Sequence, residues 1–562
     1  MPRSNSRAND RKAKASTGAP GPKPPAQSNI AIPTSPATIE RGTQTDLTGV
    51  LTRKKEVEHR DSASVQTLIA DNSPPQTYSD SALSSHSPPN GTTEAKDNLI
   101  VGWNGPHDPE HPQNFSKTRK WVITVILGLM TICVTFASSV FSTATKVTAE
   151  KFKVSQEVMV LATSLFVLGF AFGPIIFGPM SELYGRKRPL FAGLFIFAVF
   201  QIPVAVSQNL QTIFICRFIG GLFASAPLAI ASGILADLFG PVERGIAVSI
   251  FAGATFIGPV AGPIVGGFIT ISHLGWRWTE YITAIMAFFF STIGLILIPE
   301  TFEGTLLTKR AWRRRFETKN WALHAKAEER KVDIKDIATR FLIRPFIMLG
   351  QEPILLLITL YMGFIYGFLY LCFEAYPISF QEVRGWNDGV GALPFVSITV
   401  GVIIGCAIII GFSLTRYRRI LQKTGKVNPE ERLIPMMIGG ILLPIGMFWF
   451  AWTSSPGIIW VPQALSGVFL GAGVLLIFLQ GLNYIIDVYT VYANSAIAAN
   501  SFFRSWLGAV FPLFASAMFH NLGVNWAMTL LGILTGLMFP VPVAFFIYGP
   551  KIRSWSKFSV GD

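Results

Sequence analysis

Apolar residues gather into twelve runs along the chain, separated by polar segments. Each run has about twenty residues, the length at which an α-helix spans the hydrocarbon layer of a membrane. The runs lie near residues 120–142, 157–179, 189–207, 212–236, 246–269, 279–298, 351–373, 391–413, 433–452, 458–483, 496–519 and 526–548. The pattern predicts an all-α membrane protein with twelve transmembrane helices.

The order of these runs indicates an internal repeat. A longer polar segment, residues 299–350, separates six runs from six. Asp237 closes the fourth run and Asp487 closes the tenth, and a similar helix start follows each at a nearly equal distance. This correspondence favours two related six-helix bundles, residues 120–298 and 351–548, which enclose a central cavity.

The segments outside the runs differ in composition. Residues 1–98 are rich in Ser, Pro, Thr, Asn and Lys, which predicts a disordered cytoplasmic tail because too little apolar surface offsets the entropy of ordering. Residues 99–119 form a turn-rich lead-in that we expect at the membrane surface. In the cytoplasmic middle segment, residues 320–340 have the pattern of an amphipathic helix. Residues 549–562 are predicted to be a cytoplasmic C-terminal tail.

The placement of charge predicts orientation. Half of the 562 residues are hydrophobic and the formal net charge is +14, yet the basic residues follow alternate runs, so we expect no nucleic-acid partner. The basic clusters are residues 186–188, 309–344, 416–426 and 551–557. Because Lys and Arg near span ends stay on the cytoplasmic side, both termini are predicted to be cytoplasmic.

The fifth run contains three glycines that stand four residues apart. Gly258, Gly262 and Gly266 share one face of a helix and let another backbone approach closely. Pro259 and Pro263 each remove an amide donor, which a helix in lipid accepts only where neighbouring groups satisfy the freed carbonyls. We predict a stiff, kinked helix that is enclosed by other helices.

Two charged residues inside apolar runs are candidates for coupling to protons. Arg217 lies in the fourth run, where a lone Arg costs about 2.5 to 3.5 kcal/mol to insert and should therefore face protein or water. An Arg that snorkels to the outer surface is the alternative. Glu374 is the acid nearest the apolar interior of the seventh run, and its alternative is a carboxylate in an external loop.

Polar residues of the tenth and eleventh runs are candidates for cargo contacts. Asn500 and Arg504 are four residues apart and share a helix face, although an ion pair between Arg504 and Asp487 is a purely structural alternative. The candidates on the tenth run are Gln480, Asn483 and Tyr484. The many Phe residues offer adaptable apolar walls for amphiphilic compounds.

The connection between the second and third runs, residues 178–188, reads GPMSELYGRKR. Its glycines allow a sharp turn, and its charges of both signs could form a switchable latch. The stretch resembles the cytoplasmic signature of the major facilitator superfamily, with Glu182 where the family has Asp. The resemblance implies that Glu182, Arg186 and Asp237 clamp three helices in the outward-open state. The gating candidates are Gly178, Glu182, Gly185, Arg186, Lys187, Asp237 and Asp487.

Other stretches narrow this resemblance. The glycine-proline series resembles the fifth-span signature of the superfamily's proton-coupled drug exporters, which sugar carriers generally lack. Arg217 stands in the setting of a family Arg associated with proton transfer. The stretches that look like the fungal drug:proton antiporter branch are WRW at 276–278, PET at 299–301 and RGWN at 384–387. Bacterial relatives often have a carboxylate in the first span, whereas residues 120–142 contain none. The prediction of proton coupling therefore rests on the resemblance together with Arg217 and Glu374.

The resemblance covers roughly residues 101–554 and implies the major facilitator fold, twelve helices in two six-helix bundles. It implies a secondary active transporter that exports amphiphilic or cationic drugs, toxins, secondary metabolites or polyamines by proton antiport. A nutrient uptake carrier is the alternative. A polytopic membrane enzyme would need clustered ligands or a nucleophile and base, which the spans lack. We expect a monomeric multidrug-resistance pump in the plasma membrane, or else in a vacuolar or vesicle membrane, with no metal and no cofactor beyond the proton gradient.

Overall fold

Each apolar run forms a helix in the computed structural model, which describes residues 99–329, 339–425 and 427–559. The first six helices, α1 to α6, are Lys117–Val140, Gln156–Leu183, Lys187–Val206, Leu210–Leu238, Pro241–Ile271 and Arg277–Leu297. Helices α7 to α10 are Pro353–Pro377, Phe395–Phe412, Leu433–Trp452 and Trp460–Val488. The predicted disordered tail, residues 1–98, lies outside the described residues.

Gly523 separates the last two membrane helices. It has φ 73° and ψ 157° in the middle of the helical stretch Ala493–Met538, a conformation that suits glycine. We therefore label residues 493–522 as α11 and residues 524–553 as α12, the latter including Pro540–Arg553. Eleven described stretches are apolar and long enough to cross a membrane, and the last, Thr490–Arg553, has 64 residues. The break at Gly523 divides that stretch into two parts, each long enough to span a membrane, which makes twelve spans.

Shorter helical segments connect or extend the membrane helices. They are Pro112–Asn114, Phe141–Ala144, Thr145–Phe152, Glu303–Thr318, Lys326–Glu329, Thr339–Ile343, Arg344–Gln351, Ile378–Val383, Asp388–Gly391, Ser413–Tyr417, Arg418–Thr424, Pro429–Arg432 and Thr490–Tyr492. We call Glu303–Thr318 the linker helix. The end of the bundle at which α2 ends and α3 begins is called the linker end.

The linker helix lies earlier than the amphipathic helix predicted at residues 320–340. It ends at Lys319, which has φ 54°. The Thr318 hydroxyl then accepts from the Asn320 amide, and the Asn320 side chain accepts from the Ala322 amide. These side chains hold the backbone in turns that compete with a helix, so the prediction was wrong for residues 320–325. Residues 330–338 lie outside the described part of the chain.

The glycine face of α5 packs directly on α1. A Cβ added to Gly258, Gly262 or Gly266 would lie within 2.6 Å of a hydroxyl oxygen on α1 or on the short helix Phe141–Ala144 that extends it, and also close to the α1 backbone. Real side-chain carbons do not occur at such distances, so the two backbones approach as closely as they do because these positions lack a side chain.

The two prolines of α5 lie inside a helix that continues past both of them. Pro263 has no amide hydrogen to donate to the carbonyl of Pro259 one turn earlier. The Ser139 hydroxyl of α1 donates to that carbonyl instead, at 2.7 Å. A neighbouring helix therefore satisfies a backbone group that lipid could not.

The lead-in before α1 is fastened to the linker helix. Arg310 donates to the buried Asp108 carboxylate at 2.6 Å. The backbone amides of Asn104 and Glu110 donate to the same carboxylate at 2.8 and 3.0 Å. These hydrogen bonds lower the pKa of Asp108 to about 2. The bond from the Asn104 amide has the largest effect on this pKa, and the bond from Arg310 has the next largest. The lead-in therefore packs on protein.

The two six-helix halves, α1 to α6 and α7 to α12, touch at both ends of the bundle. At the linker end, Asn494 of α11 donates a 2.6 Å hydrogen bond to Glu182 of α2. At the opposite end, a Cβ added to Gly267 of α5 would lie 2.6 Å from the carbonyl oxygen of Asp388. The halves are thus in contact on both sides of their shared interface.

Candidate functional site

A buried ion pair lies inside the first half. Arg217 of α4 and Glu280 of α6 are joined by a 3.2 Å salt bridge, and both side chains are completely buried. The Arg217 guanidinium also donates to the carbonyls of Ala137 in α1 and Ala162 in α2, at 3.0 and 3.2 Å. One side chain therefore ties four helices together, and it neither reaches the surface nor faces lipid.

The hydrogen bonding of this pair is incomplete. Arg217 Nη2 and Glu280 Oε2 are buried and have no hydrogen-bond partner among the described residues. The guanidinium instead lies between the rings of Phe141 and Phe166, with Cζ 5.0 and 4.5 Å from their centroids. A buried carboxylate with a free oxygen can take up a proton without breaking a second hydrogen bond.

A second cation, Arg504, lies half-buried in the other half, against the interface. The guanidinium carbon of Arg504 in α11 is 4.6 Å from the ring centroids of both Tyr366 in α7 and Phe478 in α10. Phe478 also meets Phe256 of α5 edge-on, with centroids 4.9 Å apart. Arg504 and its aromatic neighbours thus face the first half.

A chain of hydroxyl groups crosses the interface beside Arg504. The Tyr366 and Tyr370 hydroxyl oxygens of α7 are 3.4 Å apart, and Tyr370 is 2.8 Å from the Ser138 hydroxyl of α1. Ser138 follows Ala137, whose carbonyl binds Arg217. Two adjacent residues of α1 therefore link these features: Ala137 contacts the buried ion pair, and Ser138 contacts the second half of the protein.

Glu374 lies in the last turn of α7, inside the helix, which excludes the external-loop alternative. Its side chain is half-buried and has no hydrogen-bond or ion-pair partner among the described residues. The carboxylates of Glu157 and Glu382 lie close enough to repel it. Glu382 itself binds His520 of α11 at 2.9 Å. The residue is thus an unpaired acid at the end of the bundle opposite the linker end.

No hydrogen bond between described residues joins the polar candidates of the second half to one another. Gln480 is fully buried, and its amide has no hydrogen-bond partner in the described part of the chain. It lies two residues from Phe478, about 200° around α10 and hence on the opposite face. Tyr484 stacks on Phe545 of α12, with centroids 6.3 Å apart, and Asn483 is half-buried. Gln480 therefore does not share the face of α10 from which Phe478 contacts Arg504.

Asn500 is buried one turn before Arg504 on α11. Its amide nitrogen donates to the Thr359 hydroxyl of α7 at 3.2 Å, whereas its carbonyl oxygen has no partner among the described residues. Arg504 does not pair with Asp487, so that structural alternative is wrong. Asp487 instead binds Arg432 at 2.8 Å.

The gating candidates at the linker end form a cluster around Arg186. Its guanidinium binds Asp237 of α4 at 3.2 Å and the Ser181 hydroxyl of α2 at 2.9 Å. Glu182 is outside this cluster, since it binds Asn494 of the other half. Gly178 accepts the Ser181 hydroxyl at its carbonyl. The clamp in this state therefore joins α2, α3 and α4 without Glu182.

Glu300, after α6, completes this cluster. Its carboxylate accepts the backbone amides of Arg186 and Lys187 at 2.8 and 3.2 Å, so it caps the start of α3. Lys187 reaches the Leu295 carbonyl of α6 at 2.8 Å. Gly185 has φ 85°, and a Cβ there would press on the Glu300 carboxylate. The turn needs glycine both for its conformation and for space.

The same ion pair recurs in the second half. Arg186 and Asp237 join the α2–α3 connection to the end of α4, and Arg432 and Asp487 join the α8–α9 connection to the end of α10. The equivalent positions of the two pairs agree with the repeat predicted from the two aspartates. Each half thus has its own clamp at the linker end.

Sequence reasoning missed two residues of these clusters. Glu280 is the one acid within the predicted span 279–298, a signal equal to that of Arg217 in its own run. The sequence marks Glu300 only as part of the stretch PET at 299–301, because an acid just beyond a span end gives no sign of which helix it caps.

Comparison with known proteins decides the family. The sequence model of the Major Facilitator Superfamily matches residues 127–512, more than half of the chain. The chain belongs to the major facilitator superfamily. Twelve helices in two halves are the fold of this superfamily. As a member, the chain is a transporter of small molecules.

Several fungal major facilitator proteins are similar over nearly their whole length. The MFS-type transporter traF of Penicillium crustosum is 58% identical over 459 residues, 82% of this chain and 93% of that protein. The citrinin biosynthesis cluster MFS transporter mrr1 of Monascus ruber is 54% identical, covering 83% and 93%. The cercosporin MFS transporter CTB4 of Cercospora nicotianae is 46% identical, covering 86% and 96%.

Solved structures share the fold at low sequence identity. The proton:xylose symporter XylE, bound to 6-bromo-6-deoxy-D-glucose, is 16% identical with a TM-score of 0.55, covering 78% of this chain and 96% of its own. At this identity the similarity concerns the major facilitator fold alone.

Proposed function

We propose that this protein exports a fungal secondary metabolite by proton antiport with alternating access. The geometric observation that carries the proposal is the fully buried Arg217–Glu280 pair, which sits one α1 residue away from the Ser138–Tyr370 contact between the halves. A change in the charge of this pair would alter how α1 is held, and hence the fit of the two halves. Three of the similar proteins named above are fungal transporters, and two are named for a metabolite, citrinin or cercosporin.

In this proposal Glu374 receives the proton first. It is an unpaired carboxylate at the end opposite the linker end, and Arg217 and Glu280 respond to the proton deeper in the first half. The basic connections at the linker end support a cytoplasmic position for that end and for both termini. We further propose that the protein works as a monomer in the plasma membrane, where export removes the compound from the cell and can confer multidrug resistance.

Transport measured in vesicles tests the function. The full-length protein is reconstituted, and the flux of citrinin, cercosporin, spermidine and xylose is followed with an imposed pH gradient and after a protonophore collapses it. We expect movement of a metabolite opposite to the proton flow that stops on collapse. Unchanged flux after collapse would contradict antiport, and xylose movement along with protons would favour the uptake alternative.

Substitutions separate the coupling residues from the class of transporter. In Glu374→Gln and Arg217→Ala we expect metabolite flux down its own gradient to persist and gradient-driven flux to fall strongly. If both variants keep gradient-driven export, then the assignment of coupling to these residues is wrong even though the protein is an exporter.

A further inference from the structure

The positive charge of Arg504 is not balanced by the protein around it. No carboxylate of the described residues lies within salt-bridge distance of its guanidinium. Asp487, the partner that the sequence offers for Arg504, binds Arg432, and Glu280 binds Arg217. Arg504 therefore differs from Arg217, which has both a carboxylate and two carbonyl oxygens.

The surroundings of Arg504 make this imbalance costly. Its Nε is buried without a hydrogen-bond partner, and its two ring contacts attract a cation but supply neither a full negative charge nor a hydrogen-bond acceptor. It stands eleven residues from the start of α11, about 16 Å along the helix and hence near mid-depth. A cation in such a place is stabilised when an anion binds to it.

We propose that Arg504, held between Tyr366 and Phe478, binds the anionic group of a planar organic acid, and that such acids are the cargo class. The anion is a carboxylate or an acidic phenolate. The claim that such acids are the cargo rests on the proposed export function, whereas the anion site itself does not depend on transport.

The groups around Arg504 fit an acid with an aromatic body. A guanidinium offers parallel N–H donors that match a carboxylate. The aromatic side chains of Phe478, Tyr366 and Phe256 provide apolar contacts for a flat molecule.

The charge balance also disfavours the cationic cargo expected from the sequence. Glu280 neutralises Arg217, and Glu374, one turn beyond Tyr370 on α7, is not within salt-bridge distance of Arg504, so no acid of the described residues pairs with this guanidinium. A polyamine at this place would be repelled by the guanidinium, whereas an acid would be attracted.

Equilibrium binding to the full-length protein in lipid nanodiscs tests the inference without any gradient. The probes are 2-naphthoate, its uncharged amide 2-naphthamide and the cation 2-naphthylmethylammonium, each corrected for empty nanodiscs. We expect the naphthoate to bind about tenfold tighter than the amide, and the cation to bind most weakly. In Arg504→Gln the preference for naphthoate should disappear while amide binding stays within about twofold, and Arg504→Lys should retain part of the preference.

Arg119→Gln is the matched control. Arg119 also lies over an aromatic ring, Phe115 at 4.3 Å, but it is exposed at the start of α1. Its loss should leave all three affinities unchanged. Equal affinity of the wild-type protein for naphthoate and naphthamide, or a naphthoate preference that survives Arg504→Gln, would overturn the inference.

The two proposals fail in different ways. Acid-selective binding that depends on Arg504, without gradient-driven flux in vesicles, would leave the anion site and remove the antiport function. Gradient-driven export of a neutral or cationic compound that is undiminished in Arg504→Gln, together with no naphthoate preference, would leave the function and remove the anion site.

Discussion

Asn494 donates a 2.6 Å hydrogen bond to Glu182, and the two residues belong to opposite halves of the protein. They lie at the end of α2 and the start of α11, where the linker end must open if cargo is to enter from that side. The contact is at the surface, so it can be reached by reagents. It is therefore a suitable place to hold the halves together.

Cross-linking Glu182→Cys to Asn494→Cys with a short cleavable bis-methanethiosulfonate should stop transport. The halves could then no longer separate at the linker end, and reduction of the linker should restore flux. The native cysteines Cys133, Cys216 and Cys372 are buried, whereas Cys406 is half-buried. The single variants Glu182→Cys and Asn494→Cys therefore serve as controls for reaction of the reagent with Cys406. Normal flux in fully cross-linked protein would show that this end does not open.

Replacing Glu280 by Gln should destabilise the protein by about 3 to 5 kcal/mol, because it leaves the Arg217 guanidinium buried without its counter-charge. The double variant Arg217→Met with Glu280→Leu should recover most of this loss, since it removes both charges and fills similar volume. Unfolding of the three proteins in one detergent measures the effect. A double variant no more stable than Glu280→Gln would mean that the pair matters through packing alone.

Gly262→Val should strongly reduce the yield of folded protein, because the new side chain would collide with the Ser139 hydroxyl and the α1 backbone. Overpacking of this kind typically costs about 1 to 3 kcal/mol or more. Gly411→Val on α8 is the matched control, since a Cβ there meets nothing within 4 Å. The melting temperature of each variant provides the comparison, and equal values would remove the α1–α5 contact as a stabilising feature.

Asp108→Asn should loosen the lead-in from the linker helix at neutral pH. The carboxylate of Asp108 has its pKa lowered to about 2, so its stabilising effect is present above the unfolded value of about 3.9 and is lost as the pH falls through about 2. Between pH 7 and pH 5, amide exchange at Asn104 and Glu110, corrected for intrinsic rates, should therefore stay slow in the wild-type protein. In Asp108→Asn it should be faster at both values.

Glu110→Gln is the control for this experiment. Its carboxylate is 45% exposed, binds Arg313 at 3.1 Å and lies 3.9 Å from Arg310, so its removal should change exchange much less than the loss of the Asp108 carboxylate. Exchange that accelerates in the wild-type protein between pH 7 and pH 5 would contradict the assignment to Asp108.

The spans could be predicted because the thickness of the membrane dictates the length of an apolar run. Every predicted run contains a helix, and the break between α11 and α12 falls at Gly523, between two predicted spans. The linker helix was misplaced for a physical reason of another kind. Short side-chain hydrogen bonds from Thr318 and Asn320 decide where it ends, and hydropathy does not register them.

The sequence by itself determined the number of spans, the division into two halves and the presence of charges where lipid would exclude them, since all three follow from local composition and the cost of burying polar groups. Only the tertiary structure decided which charges meet. Arg217 finds Glu280, whereas Arg504 finds two aromatic rings and no acid. Such pairings depend on how helices distant in the chain face each other, and no local pattern contains that information.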